Sequence, residues 1–176
     1  MVYRLSQYNQ KEQIFIDTSI FIAHFSSDPQ IGSECSSFLN KVEKRKIKAF
    51  INPLVLNEVS FILLKQKASV ILKTDRHYKI LETLRSDPIL FQESIKSVDL
   101  AVKYIQSLTK LNAINICSFD YATFLSAHKL SSQYNLLPRD ASYLATMFAN
   151  NLQNIATTDP DFEKIKDINT WMPYIP

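Results

Sequence analysis

The sequence predicts an α/β domain built on a short, mainly parallel central sheet. The chain has 176 residues, of which 46% are hydrophobic, so it can bury one sizeable core. Apolar runs of three or four residues with high β propensity alternate with longer segments of helical periodicity. Such alternation is typical of strand–helix–strand units, in which the strands are parallel.

Four elements are predicted in the first third of the chain: a strand over 13–16, a helix over 18–25, a helix over 33–46 and a strand over 49–51. Residues 14–16 and 49–51 are runs of apolar residues, and the first run ends at Asp17. A turn over 26–29 separates the two helices. In the second helix, Phe38 and Val42 recur at helical spacing while charged residues occupy the other faces.

Helices fill the middle of the chain. Asn52 is suited to cap a helix that starts with Pro53 and runs to about residue 66. A second helix is predicted over 68–86, where a Ser-Asp-Pro sequence breaks the pattern. A third helix over 94–110 has one apolar face.

The last third of the chain returns to the alternation of strands and helices. Its predicted elements are a strand over 114–117, helices over 119–130 and 138–151, a strand over 154–157, a helical turn after Asp159-Pro160 and a late strand near Thr170-Trp171. The sequence contains no internal repeat and no Gly/Ser-rich linker. One domain over residues 1–176 is therefore expected.

The single glycine, Gly32, excludes several classes of site. Phosphate-binding loops, dinucleotide fingerprints and nucleophile elbows each need two or more glycines at fixed spacing. The two cysteines, Cys35 and Cys117, cannot form a cysteine-rich zinc site, and the three histidines show no HxH or HExxH spacing. A histidine-based hydrolase and a histidine-ligated metal are therefore not expected.

The overall charge is mildly basic, since 20 Lys and Arg against 17 Asp and Glu give a net charge of +3. This balance is compatible with a polyanionic partner without demanding one. No apolar stretch is long enough to span a bilayer, and residues 1–13 lack the apolar core of a signal peptide. We therefore expect a soluble, cytoplasmic protein with no membrane partner.

Ligands bind beyond the carboxyl ends of the strands in parallel α/β folds, and two of four notable acidic residues lie there. Asp17 directly follows the first strand, and Asp159 follows the fourth. Asp140 lies in the first turn of its helix, and Glu58 lies within the apolar helix that starts at Pro53. Capping of helices explains Asp17 and Asp159, and the helix dipole explains Asp140, at least as well as catalysis does for each residue taken singly.

Glu58 is not explained by capping, because it is the sixth residue of its helix. An ionised carboxylate on a buried face is costly unless it is paired or bound to a metal. A salt bridge to a lysine or to Arg139 is one explanation, and a shared divalent cation is the other. The cation would account for all four acids together, and carboxylate oxygens suit Mg²⁺ or Mn²⁺.

The order of these acids resembles that of the PIN-domain nucleases, and most closely the VapC-type toxin ribonucleases of prokaryotes. Four segments carry the resemblance: Ile14-Phe15-Ile16-Asp17-Thr18-Ser19, Leu56-Asn57-Glu58-Val59, Leu137-Pro138-Arg139-Asp140-Ala141 and Thr157-Thr158-Asp159-Pro160-Asp161-Phe162. The resemblance covers roughly residues 13 to 172. It implies a PIN-like three-layer fold with a short, mainly parallel central sheet flanked by helices.

The resemblance also implies an activity, an Mg²⁺- or Mn²⁺-dependent endoribonuclease acting on single-stranded or structured RNA. It implies four catalytic, metal-binding acids: Asp17, Glu58, Asp140 and Asp159. It further implies four supporting residues, three hydroxyls and a less regular acid: Thr18, Ser19, Thr157 and Asp161. Arg139 is a candidate contact to the substrate phosphate. A toxin of this type would have an antitoxin protein as its partner.

Two features depart from the compact family members. Glu58 and Asp140 are 82 residues apart, and the excess is placed in a helical insertion over about 68–110. The first dozen residues are also extra. Basic residues in and just before the insertion form a candidate RNA or partner surface, whereas a second basic group over 41–48 is expected to be a solvated helix face.

A homodimer is also implied by the resemblance. The expectation is supported by four apolar side chains: Phe21, Phe25, Phe61 and Leu64.

Three functions stay open on the sequence alone. The first is the endoribonuclease, either a toxin or an RNA-processing enzyme. The second is a catalytically silent PIN-like RNA-binding protein, against which the four intact acids argue. The third is a phosphohydrolase of small substrates, which would need an acid where the sequence has Ser19.

Overall fold

A wholly parallel sheet forms the centre of the protein in the computed structural model, which describes residues 1–8 and 12–174. Six strands are found in these ranges: β1 (Val2–Arg4), β2 (Gln13–Ile16), β3 (Lys48–Ile51), β4 (Ile114–Ile116), β5 (Asn154–Ala156) and β6 (Asn169–Met172). Their order across the sheet is β1-β6-β5-β2-β3-β4. In the register of the central strands, Ile14 lies beside Ala49 on one side and Asn154 on the other. The predicted α/β fold class is confirmed.

Helices flank the sheet. Those in the described ranges are α1 (Thr18–Phe25), α2 (Gly32–Glu43), α3 (Pro53–Leu72), α4 (His77–Ser86), α5 (Pro88–Lys110), α6 (Tyr121–Tyr134) and α7 (Pro138–Ala149). Short 3-10 turns lie at Leu5–Gln7 and Pro160–Phe162. Helix α6 packs on α7, α3 packs on α5, and α1 packs on both α2 and α3. The main core joins the sheet to these helices and includes the buried rings of Phe15, Phe38 and Tyr143.

Two predicted boundaries are confirmed, the junction between β2 and α1 and the start of α3. Strand β2 and helix α1 have the predicted bounds, so Asp17 lies at the junction between them. Asn52 caps α3, since its side-chain oxygen accepts a hydrogen bond from the N–H of Val55 at 3.1 Å. Pro53 then occupies the first helical position.

The predicted helix boundaries after Pro53 are wrong. Helix α3 does not end near residue 66 but continues to Leu72, and the predicted helix over 68–86 is divided between the end of α3 and α4. The break lies at Lys73, whose backbone is left-handed with φ of 49°. Ala68 is fully buried in a small second core, which also contains Ile80, Leu84 and Leu90. Burial against α4 and α5 therefore prolongs α3 beyond the predicted end.

Helix α5 begins at Pro88 rather than at residue 94. The side chain of Asp87 caps it by accepting hydrogen bonds from the N–H groups of Ile89 at 2.9 Å and Leu90 at 3.0 Å. The proline that ends one predicted helix is thus also the first residue of the next.

Smaller differences occur at α2, α6 and the N-terminus. Helix α2 ends at Glu43 rather than at residue 46, and α6 covers Tyr121–Tyr134 rather than 119–130. Strand β1 was not predicted. It pairs with β6, and the ring of Tyr3 stacks on Trp171 with 4.6 Å between the centroids. Because β6 lies at the other end of the chain, no local sequence pattern predicts that β1 forms a strand beside it.

The apolar residues expected at a dimer interface do not all reach the surface. Phe21 is fully buried, so that part of the expectation is wrong, whereas Phe61 is 45% exposed. A larger exposed apolar set lies on α6, formed by Tyr121, Phe124 and Leu125. Within residues 1–8 and 12–174, no helix has both the length and the apolar character needed to cross a bilayer.

Candidate active site

The two central strands bring Asp17 and Asp159 to the same edge of the sheet. Strands β2 and β5 are parallel neighbours, with Ile16 beside Ala156 in the register. The N–H of Asp17 extends this pairing by donating to the carbonyl of Ala156 at 3.0 Å. Asp159 follows β5 after two threonines, so both acids leave their strands beside one another.

Asp17 is held by hydroxyl groups and does not cap its helix. It occupies the position before α1, but its carboxylate makes no capping hydrogen bond to that helix. Instead, Oδ2 accepts hydrogen bonds from Ser19 Oγ at 2.8 Å and from Thr157 Oγ1. Burial raises the pKa of Asp17, and these two hydrogen bonds oppose the rise. Capping therefore does not explain Asp17, and Ser19 and Thr157 lie where a supporting hydroxyl is expected.

Glu58 takes part in the ion pair that the sequence left open as an alternative. It lies in the second turn of α3, and its side chain is 16% exposed. Oε1 accepts a hydrogen bond from Arg139 Nη1, and Oε2 accepts one from the hydroxyl of Tyr143 at 2.7 Å. The charge of Glu58 is thus compensated within the protein, so its burial alone does not require a metal.

Asp140 has one satisfied and one unsatisfied carboxylate oxygen. Its side chain is 2% exposed in the first turn of α7, and Oδ1 accepts a hydrogen bond from Arg139 Nε at 2.9 Å. Oδ2 is buried and has no hydrogen-bond partner in the described part of the chain. Burial raises the pKa of Asp140, Arg139 opposes the rise, and the charges of Asp159 and Glu58 add to it.

Asp159 caps the turn that follows it with one oxygen and approaches Arg139 with the other. Its Oδ1 caps the following 3-10 turn by accepting a hydrogen bond from the N–H of Asp161 at 2.8 Å. Its Oδ2 lies 3.9 Å from Arg139 Nη2. The neighbouring Asp161 pairs with Lys164 at 3.1 Å. The capping interpretation is therefore correct for Asp159 but leaves its second oxygen in the acid cluster.

These contacts surround a single cleft, here called the acid cleft, of about 520 Å³. Its lining includes Asp17, Ser19, Glu58, Arg139 and Asp159. Within the described residues, one oxygen each from Asp140, Asp159 and Asp161 lie within 4.8 Å of one another. The unsatisfied Oδ2 of Asp140 and this set of hard oxygen donors suit a divalent cation such as Mg²⁺ or Mn²⁺.

One site residue, Tyr143, gains a role that the sequence did not indicate. Tyr143 is fully buried, and its hydroxyl lies 2.8 Å from Thr18 Oγ1 while donating to Glu58. Burial, reinforced by the nearby carboxylates, raises the pKa of Tyr143 far above its usual value, so the hydroxyl stays protonated. The signal for it was its position three residues after Asp140 on the same helix face. Arg139, the candidate contact to the substrate phosphate, joins three of the acids, and one of these contacts is the ion pair with Glu58 that the sequence left open.

Comparisons with known proteins give consistent findings. The family model of the PIN domain matches residues 14–168. The chain is 26% identical over 156 residues to the ribonuclease VapC2 of Methanocaldococcus jannaschii. The aligned residues make up 89% of the chain and 91% of that protein.

Two solved structures show the same fold. One is VapC20 of Mycobacterium tuberculosis, described as a sarcin-ricin-loop-cleaving toxin. It has a TM-score of 0.60 and 14% identity over 93% of the chain and 99% of that structure. The other is a toxin–antitoxin complex from Klebsiella pneumoniae, with a TM-score of 0.57 and 18% identity over 93% of the chain and 99% of that one. At these identities the likeness concerns the fold.

Proposed function

The chain belongs to the PIN domain family, and from this premise we propose that it is a metal-dependent endoribonuclease that hydrolyses phosphodiester bonds of single-stranded or structured RNA. We propose further that it is the toxin of a toxin–antitoxin pair. The similarity to an archaeal ribonuclease and to a structure of a toxin–antitoxin complex supports these two statements. The observation that carries the proposal is the acid cleft, with the unsatisfied oxygen of Asp140 beside it.

The proposed catalytic acids share the surroundings of this cleft: Asp17, Glu58, Asp140 and Asp159. We assign Mg²⁺ or Mn²⁺ to them, with Asp161 as a fifth donor because its oxygen lies close to those of Asp140 and Asp159. A divalent cation held by these acids would lower the pKa of a bound water and would offset charge on the phosphate oxygens. The chemistry of the donors supports this choice, because carboxylate oxygens are the ligands that hard cations prefer.

The protein's own residues orient the acids. The hydroxyls of Ser19 and Thr157 both donate to Oδ2 of Asp17, so Oδ1 accepts neither of these two hydrogen bonds. The hydroxyl of Tyr143 fixes Glu58 from the protein interior. Because no histidine is among the described residues that line the acid cleft, deprotonation of a nucleophilic water falls to the carboxylates. Arg139 supplies the cation at the rim that can meet a phosphate.

Cleavage of a labelled RNA pool by the purified protein tests this function. We expect cleavage with MnCl₂ or MgCl₂ and none with EDTA. Asp140→Asn should abolish cleavage, since it removes the charge of the acid with the unsatisfied oxygen. Asp99→Asn is the matched control, because Asp99 is an exposed acid on α5 far along the chain from the cluster. Equal activity of parent and Asp140→Asn would contradict the proposal.

The ion pairs of Arg139 favour a second candidate, a PIN-like protein that binds RNA without cleaving it. In that protein, Arg139 would permanently neutralise Glu58 and Asp140, and no cation would be needed. The two candidates differ in one measurement, because only the nuclease should bind Mn²⁺ tightly enough to raise its melting temperature.

Four further statements belong to the proposal. A homodimer is supported by the exposed apolar side chains of Phe61 and of α6. An antitoxin protein is the second partner. A cytoplasmic location is supported by two free, buried cysteines. One domain over 1–176 with a helical insertion over about 68–110 is supported by the small second core that α4 forms with α3 and α5.

A further inference from the structure

Basic residues cluster in two short stretches of the chain, residues 41–48 and residues 65–87. Residues 65–87 contain six basic and three acidic side chains, which gives +3 and equals the formal net charge of the whole chain. The basic residues, here called the distal basic surface, are Lys65, Lys67, Lys73, Arg76, Lys79 and Arg85. They lie on the second half of α3, on α4 and in the connection between these helices.

None of these six side chains is neutralised locally. Within the described residues, none has a carboxylate within 4.0 Å, and their side-chain nitrogens donate no hydrogen bond. By contrast, Lys96, Arg139 and Lys164 each pair with an acid. Lys65 is half-buried, and the other five are exposed. The distal basic surface is therefore free to bind a polyanion.

The distal basic surface is continuous with the acid cleft. A second cavity of about 480 Å³ is lined by Lys65, Lys67 and Val70, among others. Ser26 and Gln66 line both this cavity and the acid cleft. Along α3, Gln66 is eight residues from Glu58, which corresponds to about 12 Å at the helical rise. A nucleic-acid strand that occupies the acid cleft thus reaches Lys65 and Lys67 about two turns further along the same helix.

The acid cleft by itself is poorly suited to hold a polyanion. Within the described residues, its lining contains the carboxylates of Asp17, Asp28, Glu58 and Asp159 and a single cation, Arg139. Phosphates near these acids are repelled, so the binding energy for a nucleic acid has to come from neighbouring surfaces. Val70 and Tyr78 are more than 70% exposed beside the basic residues and offer apolar surface to unstacked bases.

From these observations we propose that the distal basic surface is the binding track for the single-stranded RNA that enters or leaves the acid cleft past Gln66. This inference rests on the proposed ribonuclease function. RNA is favoured over an acidic protein, because the track runs into the cleft through shared lining residues and a substrate must occupy both. An acidic partner could bind the lysines without approaching the acids.

The test compares two triple variants that lose the same charge. Lys65→Gln, Lys67→Gln and Lys79→Gln together remove half of the distal basic surface. The matched control changes Lys44, Lys46 and Lys48 to Gln, which lie at or before the start of β3, at the edge of the sheet opposite the acids. Binding of a fluorescein-labelled single-stranded RNA is measured by anisotropy in EDTA, so that no cleavage occurs, over about 50 to 300 mM KCl.

We expect the track variant to bind at least tenfold more weakly at the lowest salt concentration. We also expect the slope of log Kd against log salt to fall by about 2, since each lost phosphate contact on a single strand contributes about 0.7. The control variant should keep the affinity and slope of the parent. Circular dichroism and melting curves check that both variants are folded.

The outcomes separate this inference from the proposed function. If the parent cleaves RNA with Mn²⁺ but the track variant binds RNA with the parent's affinity and salt slope, the track is wrong and the nuclease stands. The track is also wrong if both triple variants lose the same affinity, because charge alone then explains the binding. If the parent does not cleave RNA with any divalent cation, the nuclease proposal fails whatever the anisotropy shows.

Discussion

Arg139→Gln is the change with the clearest consequence in the structure. The guanidinium group of Arg139 donates to Glu58 and to Asp140, the latter at 2.9 Å, and lies 3.9 Å from Asp159. Glutamine keeps much of the aliphatic chain but removes the charge, leaving a group of carboxylates without their shared cation. We expect the fold to lose stability when no metal is present and to become more dependent on a metal.

The magnitude follows from the exposure of the partners. An exposed ion pair contributes about 0–1 kcal/mol, and breaking a buried pair costs about 3–5 kcal/mol. The carboxylates of Glu58 and Asp140 are 16% and 2% exposed, but the side chain of Arg139 is 47% exposed and is screened by solvent. We therefore expect a loss of about 1–2 kcal/mol. For a chain of this length, that corresponds to a fall in melting temperature of about 2–8 °C.

The loss should depend on pH in a defined direction. Burial raises the pKa of Asp140, Arg139 holds it down, and the substitution therefore raises it further. A carboxyl whose pKa is higher in the folded state destabilises the fold when it is ionised, so its contribution worsens as the pH rises through that pKa. The difference between parent and variant should be largest near about pH 7.5 and should shrink as the pH falls towards about 4.

The assay is a thermal melt in EDTA and in MnCl₂. Arg85→Gln is the matched control, because Arg85 is exposed and has no ion pair in the described part of the chain. In EDTA the Arg139 variant should melt below the control, and MnCl₂ should raise its melting temperature more than it raises that of the parent, since no guanidinium competes for the acids. If both variants melt together in EDTA at neutral pH, the reasoning is refuted.

Three further results are expected. Asp17→Asn should abolish cleavage, and full cleavage would contradict the site assignment. The melting temperature of this variant in EDTA should hold or rise near neutral pH, because burial raises the pKa of Asp17 and the amide oxygen can still accept both hydroxyl hydrogen bonds. This gain in melting temperature should vanish at low pH. Asp159→Asn should lower the cleavage rate at least tenfold, about 1.4 kcal/mol in barrier, and should need more Mn²⁺ for cleavage. Asp161→Asn should lower the rate less, because the carboxylate of Asp161 pairs with Lys164 in the parent. If a metal titration gives the reverse order, the fourth catalytic acid is Asp161. Light scattering should report a dimer at micromolar concentration, and a monomer there would contradict the homodimer.

The sequence alone determined the framework of this site. Short, largely apolar runs define β2, β3 and β5 because most side chains of a strand buried on both faces are apolar. Asn52 and Pro53 fix the start of α3 by local hydrogen bonding and backbone geometry. Once strands and helices alternate, parallel pairing brings the carboxyl ends of the strands to one edge, so Asp17 and Asp159 are predicted at that edge. That β2 and β5 are direct neighbours there is decided by the strand order of the folded sheet.

Only the tertiary structure decided how the acids are compensated. Arg139 and Glu58 are 81 residues apart, and no rule of spacing distinguishes their ion pair from a bound cation. The same holds for the hydroxyl of Tyr143 on Glu58 and for the pairing of β1 with β6 at the edge of the sheet. The length of α3 was likewise decided by the burial of Ala68 in a core that α4 and α5 complete. Local sequence patterns predict whether a segment forms a helix or a strand, and which of its side chains are buried in the core. Pairing between distant side chains depends on where separate elements meet, which is settled only when the whole chain packs.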